Sequence, residues 1–253
     1  MKMIVTDLDR TLLRDDKTVS GYTLDIFRRL RAQGMKIVIA TGRPKRLTSQ
    51  YVNVLDPDAL IVHNGGIVFI GDTQHSSFSI CIKEAAQILQ TAAAQFPTMT
   101  ISAEINDALY ANFTIPDPSW QNTLSDFTDL PNLPVDKLLF GIKSMADIEK
   151  IKAMLPPHMH AILAHDELLM VMNKQACKFL AVKEVAAYFR IPISDVVAFG
   201  DDHNDVEMLK NCGIGVAVAN AIPEAKAVAD FICESNENDG VVKWLEANFT
   251  AHN

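Results

Sequence analysis

Short apolar runs rich in β-branched residues alternate with amphipathic stretches at both ends of this chain, and this rhythm limits the folds open to it. Residues 36–40, KIVIA, form such a run and suit a strand buried on both faces of a parallel sheet. Asn64-Gly65, which lies between two further apolar runs, predicts a tight hairpin. The alternation resumes late in the chain, with a predicted helix over 175–190 and predicted strands over 196–199 and 214–218. Because strand–helix–strand units connect parallel strands, both ends together predict one doubly wound, Rossmann-like parallel sheet.

The middle of the chain breaks this rhythm. Two strand-like runs, 98–105 and 108–114, follow each other directly, and a loop region rich in Pro and Asp spans 116–134. Strands that adjoin other strands as well as helices are typical of an α+β unit. We therefore expect a core made of residues 1–80 and 171–253, interrupted by an inserted α/β domain of residues 81–170.

The balance of charge excludes some classes of partner. The 253 residues carry 31 acidic and 23 basic side chains, a formal net charge of −8. An acidic chain lacks the basic surface by which general nucleic-acid binders and proteins attached to anionic lipid recognise their ligands. A small anionic substrate is still compatible with this charge, provided that local cations or a metal ion receive it.

The cysteines and the apolar runs indicate a compartment. Four cysteines lie far apart without a CxxC pair, which favours buried free thiols over disulfides or a zinc site. The N-terminus lacks the apolar segment of a secretory signal, and no apolar run approaches the ~18 residues of a membrane span. We expect a soluble, cytoplasmic protein. Nothing in the sequence indicates its oligomeric state.

The strongest local signal is a pair of acids, Asp7 and Asp9, at the end of the first predicted strand. Ligands bind at the carboxyl edge of an open α/β sheet, and residues two apart in extended backbone project to the same side. Two neighbouring carboxylates repel each other unless they share a proton or a cation, and Mg²⁺ prefers such oxygen ligands. The alternative is a solvated acidic turn that caps the next element.

Two weaker signals point to an anion. Thr41-Gly42 follows the KIVIA strand, where a hydroxyl and exposed amides at a helix start would cradle phosphate. An ordinary helix-capping Thr explains the same residues. Lys178 stands near the start of the predicted 175–190 helix. A lysine on a helix surface is usually just solvated. A lysine close to acids and phosphate would instead neutralise the negative charge that develops during the reaction.

A second acidic cluster follows the strand over 196–199. Its members are Asp201, Asp202 and Asp205, together with Asn204. Three acids within five residues at the carboxyl edge of a sheet are typical of a metal site, although acids also cap the helix that follows. His203, in the same segment, is interpreted as exposed and incidental.

The motifs occur together in an order that resembles the haloacid dehalogenase superfamily, and within it the Cof-type phosphatases with an inserted α/β cap of class IIB. The resemblance spans nearly the whole chain. It is carried by the segments DLDRTLL, IATGRP, NKQACKFLAV, GDDHNDVEML, GIGVAVANA and AVADFICESNENDGV. It implies a magnesium-dependent phosphatase for small phosphorylated metabolites such as sugar phosphates, nucleotides or cofactor phosphates, with the cap selecting the substrate.

The resemblance also implies a role for each matching residue. Asp7 matches the nucleophile that forms an aspartyl-phosphate, and Asp9 matches the general acid/base. Asp7, the backbone carbonyl of Asp9 and Asp201 match the magnesium ligands, with Asp202 and Asp205 either as further ligands or as partners that orient the ligands. The groups that match phosphate-binding positions are the backbone of Leu8, Thr41 with Gly42, Lys178 and Asn204. The chain departs from the family at Arg10 and Phe179, two positions where the family often has Gly.

Other functions fit the sequence less well. A phosphomutase shares the core and cap but needs a second phosphate site in the cap, and residues 81–170 contain no Arg and few Lys. A dehalogenase would not need the acidic metal pair. A two-component receiver also surrounds an aspartyl-phosphate with acids, Thr and Lys, but it is about half this length. A non-catalytic phosphate-binding regulatory protein on the same scaffold stays open, since fold does not fix function.

Overall fold

The computed structural model describes residues 1–117, 120–164 and 167–249 of the chain. They form two compact units. The first, the core unit, comprises residues 1–43, 48–76 and the described residues from 177 onward. The second, the inserted unit, comprises residues 44–47 and the described residues of 77–176. The boundaries thus fall at 76 and 176 rather than at 80 and 170, and the short segment 44–47 groups with the inserted unit.

Both units are built of β-strands and α-helices. In chain order the strands are β1 (Met3–Thr6), β2 (Lys36–Ala40), β3 (Ala59–Val62), β4 (Ile67–Ile70), β5 (Thr73–Ser77), β6 (Ile101–Ile105), β7 (Ala108–Ala111), β8 (Asn122–Leu124), β9 (Val135–Gly141), β10 (Met159–Ala164), β11 (Leu168–Asn173), β12 (Val196–Gly200), β13 (Ile214–Val218) and β14 (Phe231–Cys233). The α-helices are α1 (Gly21–Ala32), α2 (Ser49–Leu55), α3 (Ile82–Gln95), α4 (Met145–Lys152), α5 (Lys178–Tyr188), α6 (Val206–Asn211), α7 (Pro223–Val228) and α8 (Gly240–Phe249).

The core unit is built on an eight-stranded sheet in the order β14-β13-β12-β1-β2-β3-β4-β5. The six strands from β14 to β3 pair in parallel, which confirms the predicted α/β arrangement. β4 runs antiparallel to β3, because the turn at 63–65 returns the chain directly. The predicted hairpin is therefore present, and it makes the sheet mixed rather than wholly parallel.

Both faces of this sheet are covered by helices. On one face, Ile4 of β1 belongs to an apolar cluster with Phe27 of α1 and Leu245 of α8. On the other face, Met3 of β1 belongs to a second cluster with Val182 of α5. Successive residues of a strand point to opposite faces, so both sides of β1 must be apolar. This two-sided burial is why the core strands are continuous apolar runs in the sequence.

The inserted unit has its own six-stranded sheet, in the order β10-β11-β9-β6-β7-β8. Its pairs are antiparallel, except that β8 joins β7 in parallel. Leu89 of α3 and Ile148 of α4 pack with Phe140 of β9 in one buried cluster. The loop expected over 116–134 contains the short strand β8, which the sequence pattern missed because β8 forms by adding to an edge that only the tertiary structure supplies.

The cysteines and the helix lengths bear on two further expectations. All four cysteines are free thiols: Cys212 and Cys233 are buried, Cys177 is half-buried and Cys81 is exposed. Among the described residues, no helix has the length and apolar character needed to cross a membrane.

Candidate active site

Polar side chains meet where the parallel strands of the core sheet end. Asp7 follows β1, Thr41 follows β2 and Asp201 follows β12. In the sheet, β1 lies between β2 and β12, and all three strands run in the same direction. Their carboxyl ends therefore lie side by side, so residues from both ends of the chain come together at one edge.

Three buried carboxylates form the centre of this edge. One oxygen each of Asp7, Asp201 and Asp205 lies within 4.8 Å of the others. The Nζ of Lys178 donates hydrogen bonds to Oδ1 of Asp7 and to Oδ1 of Asp205, both at 2.7 Å. Lys178 is only 1% exposed, so these acids replace water as the partners of its charge. The structure thus brings together four of the residues that the sequence analysis singled out.

Burial and mutual repulsion perturb the titration of these groups. Burial, together with the charge of Asp205, raises the pKa of Asp201 to about 7. Burial also raises the pKa of Asp7 well above its usual value, although Lys178 opposes the shift. Burial alone would lower the pKa of Lys178, but the charges of Asp205 and Asp7 raise it. Three acids facing one ammonium group leave an excess of negative charge, which a further cation would neutralise.

Asp7 and Asp201 fit a hard divalent cation such as Mg²⁺. Carboxylate oxygens are the ligands that Mg²⁺ prefers. Burial raises the pKa of both acids even though the charge of Lys178 opposes the shift, so their ionised forms are not fully balanced by the cations of this site. The Oγ1 of Thr11 donates a hydrogen bond to Oδ1 of Asp201 at 2.9 Å, which orients this acid. The donor set present is therefore compatible with the metal that the family resemblance implies.

Asp205 and Asp202 are engaged differently. The Oδ2 of Asp205 accepts the backbone N–H groups of Asp201 and Asp202 at 3.0 and 3.2 Å, while its Oδ1 accepts Lys178. Asp205 therefore orients the ammonium group of Lys178 and the backbone at Asp201 and Asp202. The side chain of Asp202 accepts the backbone N–H of His203 at 2.8 Å and caps the turn over 203–205. Among the described residues, the cluster of carboxylates that could hold a metal ion includes Asp205 but not Asp202.

Asp9 is held apart from the three clustered acids. Its carboxylate accepts two hydrogen bonds from Arg43, at 2.6 Å from Nε and 2.7 Å from Nη2, and one from Nζ of Lys17 at 3.0 Å. Burial would raise its pKa, but the hydrogen bonds and charges of Arg43 and Lys17 lower it to about 2. Leu8, between the two acids of this motif, is fully buried and anchors the segment in the core. Asp9 is therefore firmly ionised.

Arg10 occupies a left-handed backbone conformation with φ of 59°. Gly adopts this conformation without the steric cost that a Cβ brings, which accounts for the preference for Gly at this position in the family. The guanidinium of Arg10 is about half exposed, and its Nε lies 4.0 Å from Oδ2 of Asp201. The departure from the family pattern thus adds a cation beside the acidic cluster.

Thr41, Gly42 and Arg43 form a tight loop after β2. Thr41 is buried, and its Oγ1 accepts the backbone N–H of Arg43 at 3.2 Å, so the hydroxyl keeps its own proton to donate. A Cβ on Gly42 would lie 2.9 Å from Oδ1 of Asn64. The Nδ2 of Asn204 donates a hydrogen bond to that same oxygen at 2.8 Å. These contacts join the loop after β2 to Asn64 and Asn204.

The sequence analysis assigned no role in the site to four residues that the structure places there: Lys17, Arg43, Asn64 and Thr11. Arg43 belongs to the TGR segment, so a charged side chain directly after the predicted cradle was an available signal. Asn64 had been interpreted only as a turn residue. Lys17 has φ of 65° and reaches Asp9 by reversal of the backbone, for which the sequence pattern has no signal.

Comparisons with known proteins identify the family of this chain. A family model of haloacid dehalogenase-like hydrolases matches residues 4–245. The chain is 28% identical over 266 residues to YitU of Bacillus subtilis, a 5-amino-6-(5-phospho-D-ribitylamino)uracil phosphatase, and the match covers 98% of this chain and 97% of YitU.

Solved structures share the fold. The phosphatase BT1666 of Bacteroides thetaiotaomicron superposes with a TM-score of 0.84 at 25% identity, covering 98% of this chain and 94% of that one. The subclass IIB sugar phosphatase BT4131 has the same fold, with a TM-score of 0.82 at 22% identity and coverage of 98% of each chain. The chain therefore belongs to the haloacid dehalogenase-like hydrolase family, in the Cof-type group that its motifs predicted.

Proposed function

We propose that this chain is a Mg²⁺-dependent phosphatase that hydrolyses small phosphorylated metabolites through an aspartyl-phosphate on Asp7. Family membership and the phosphatase relatives support a phosphatase with a small phosphorylated substrate. The observation that carries the mechanism is the contact of Lys178 with Asp7 inside the cluster of three buried carboxylates. The substrate classes in view are sugar phosphates, nucleotides and cofactor phosphates.

Asp7 is the nucleophile in this proposal. A carboxylate and a phosphate dianion repel each other, and a buried site strengthens this repulsion. Lys178, at 2.7 Å from Asp7, offsets part of it and is already in place when charge develops. Held by Asp7, Asp201 and the backbone carbonyl of Asp9, Mg²⁺ would supply the remaining positive charge.

Hydrolysis then takes two steps. An oxygen of Asp7 forms a bond to phosphorus while the bond between phosphorus and the leaving oxygen breaks. Water afterwards attacks the phosphorus of the aspartyl-phosphate, which releases inorganic phosphate and restores Asp7. The backbone of Leu8, Thr41, Gly42 and Asn204 are the further groups to which we assign phosphate binding.

We assign proton transfer to Asp9. It would protonate the leaving oxygen in the first step and accept a proton from the attacking water in the second. With its pKa lowered to about 2 by Arg43 and Lys17, Asp9 is ready for the second role. The first role requires that at least one of these cations leaves Asp9. An incoming phosphate dianion competes for both cations, so substrate binding itself supplies the release.

The charges around the site favour a phosphomonoester over a diester. Lys178 and a divalent ion together balance the three clustered acids. Arg10 lies beside Asp201, while Lys17 and Arg43 bind Asp9. These three cations are offset only by the carboxylate of Asp9, which leaves an excess of two positive charges. A monoester carries close to two negative charges at neutral pH, whereas a diester carries one.

We assign selection of the leaving group to the inserted unit. The segment 44–47 directly follows Arg43 in the chain and is fixed within this unit by Arg46. The guanidinium of Arg46 donates hydrogen bonds of 2.6 and 2.9 Å to the fully buried Glu104. Arg46 and Asp107 line an open cleft of about 420 Å³ together with Gln121, a size and polarity that suit a hydroxylated metabolite.

This activity requires a small-molecule substrate and no nucleic-acid or membrane partner. We propose the cytoplasm as its location, because free thiols such as those of Cys212 and Cys233 persist in a reducing compartment.

The test is hydrolysis of p-nitrophenyl phosphate with Mg²⁺, with EDTA, and by Asp7→Asn, Asp9→Asn and Asp56→Asn variants. Asp56 is an exposed aspartate whose side chain is 86% accessible, so its variant is a matched control. We expect metal-dependent activity that Asp7→Asn abolishes and Asp56→Asn preserves. Acid-quenched protein should carry phosphate on Asp7, as shown by peptide mass spectrometry.

Substrates with different leaving groups distinguish the role of Asp9 from that of Asp7. In single-turnover measurements of aspartyl-phosphate formation, Asp9→Asn should lose about 10²–10⁴-fold in rate on an alkyl phosphate, the contribution of general acid catalysis. The loss in this first step should be far smaller on p-nitrophenyl phosphate, which needs no protonation to leave. Activity that survives Asp7→Asn would reject the nucleophile. Equal loss on both substrates would reject Asp9 as the general acid.

A further inference from the structure

We propose that Asn64 is a positioning residue for phosphate binding, which sets the carboxamide of Asn204 and the loop of residues 41–43. The inference rests on the proposed phosphatase function and adds to it a residue that the family resemblance did not supply. It follows from the 63–66 turn, the connection between β3 and β4, which contacts three separate segments of the site.

The backbone of this turn is unusual. His63, Asn64 and Gly65 have φ values of 50°, 56° and 98°, three consecutive residues in the left-handed region. Non-glycine residues enter this region at a cost, and sustained strain of this kind is found at functional sites. A Cβ at Gly65 would lie 2.4 Å from the carbonyl oxygen of Cys177, the residue before Lys178. The turn thus packs its backbone directly against the start of the helix that carries Lys178.

The same turn holds the backbone of residues 41–43. The N–H of His63 donates to the carbonyl of Arg43 at 3.1 Å, and the N–H of Asn64 donates to the carbonyl of Thr41 at 3.0 Å. Both donors point at the loop because the backbone is left-handed at these two positions. The conformation of residues 41–43 is therefore tied to the turn at two points.

The side chain of Asn64 determines which way Asn204 faces. Its Oδ1 accepts Nδ2 of Asn204 at 2.8 Å, while Oδ1 of Asn204 is buried with no hydrogen-bond partner among the described residues. The carboxamide of Asn204 has two N–H donors, so one is bound by Asn64 and the second is available to a phosphate oxygen. Without the acceptor on Asn64, this carboxamide is free to rotate and to present its oxygen to an anion.

Two substitutions at Asn64 separate this role from a structural one. Asn64→Gly removes the side chain but suits the left-handed backbone, so the turn should fold. Asn64→Asp keeps both the shape and the acceptor but adds a negative charge beside the phosphate loop. Asn106→Gly is the matched control, since Asn106 is an exposed asparagine with φ of 49°.

The readouts are kcat and KM for p-nitrophenyl phosphate, the inhibition constant of inorganic phosphate and the Tm. We expect Asn64→Gly to raise KM and the inhibition constant about tenfold, the size of one hydrogen bond to an ordered group, with a Tm within the range of the Asn106→Gly control. Asn64→Asp should weaken phosphate binding at least as much. Asn204→Ala should add little to Asn64→Gly, because both remove the same interaction.

The outcomes separate the role of Asn64 from the phosphatase function. Full activity and unchanged phosphate inhibition in both Asn64 variants would overturn the role of Asn64 while the phosphatase function stands. Additive effects of Asn64→Gly and Asn204→Ala would do the same. A wild-type protein that neither hydrolyses phosphomonoesters nor binds inorganic phosphate would overturn the proposed function, and this inference with it.

Discussion

The guanidinium of Arg43 binds both carboxylate oxygens of Asp9, with Nε at 2.6 Å from Oδ2 and Nη2 at 2.7 Å from Oδ1. The two residues are 34 positions apart and follow neighbouring strands, β1 and β2. Such a bidentate pair fixes the orientation of a carboxylate more strictly than a single contact does. It joins the acid pair of the first motif to the predicted phosphate loop.

We predict that Arg43→Ala raises the pKa of Asp9 from about 2 toward its usual value of 3.8, with Lys17 still holding it somewhat low. An acid whose pKa is lowered in the folded state stabilises the fold above its unfolded pKa, and loses this contribution as pH falls through the folded value. The variant should therefore lose about 1–2 kcal/mol at pH 7, after allowance for partial exposure. The difference from wild type should narrow between about pH 4 and pH 2.

Carboxyl-carbon NMR in EDTA and urea unfolding at several pH values measure the two effects. Arg31→Ala is the control, because Arg31 is also a half-buried arginine of the core unit but bonds only to the Asp56 region. An Asp9 pKa that stays near 2 in Arg43→Ala would show that Arg43 does not hold this group.

Lys178→Met should destabilise the metal-free protein by about 3–5 kcal/mol, because it leaves two buried carboxylates without their ammonium partner. Mg²⁺ should then raise the Tm of the variant more than that of wild type, since the acidic cluster has lost the positive charge of the Lys178 ammonium group. Differential scanning calorimetry with Mg²⁺ and with EDTA tests both statements.

Lys183→Met on the same helix is the matched control, because Lys183 is exposed. The idea fails if the two lysine variants lose equal stability. It also fails if Mg²⁺ stabilises Lys178→Met no more than wild type.

Gly42→Ala should destabilise the core unit by about 1–3 kcal/mol, the usual cost of forcing an extra methyl group into a packed site. The methyl group would lie 2.9 Å from Oδ1 of Asn64, which is already bonded to Asn204. Asn64→Gly in the same chain should restore part of the lost stability, because it removes the obstructing atom.

Chemical unfolding of the two single variants and the double variant measures this coupling. Gly21→Ala is the control, as a Cβ there meets nothing within 4 Å. A double variant whose loss equals the sum of the single losses would contradict the contact.

Arg10→Gly should be more stable than Arg10→Ala by about 1 kcal/mol, because only Gly adopts φ of 59° without steric cost. Both variants remove the same charge, so their comparison isolates the backbone. Urea unfolding in EDTA gives the difference. Equal stability of the two variants would show that the left-handed conformation carries no strain.

The core strands followed from the sequence where burial is two-sided. KIVIA at 36–40 and VVAFG at 196–200 are strands within one residue of the predicted bounds. Such runs are readable because a strand covered on both faces must be apolar at every position. The short strand β8 and the edge strand β5 were not readable, since an edge strand is defined by the neighbour that it joins.

The sequence by itself determined that acids and a hydroxyl stand at the carboxyl ends of core strands and that a lysine stands near the start of a helix, because motif residues keep their place relative to the elements beside them. Only the tertiary structure decided how these residues divide their contacts. Asp205 binds Lys178 and backbone amides, Asp202 caps a turn, and Asp9 faces Arg43 rather than the other acids. The reason is physical: contacts between distant residues depend on the order of strands in the sheet and on left-handed turns, and neither leaves a period in the sequence.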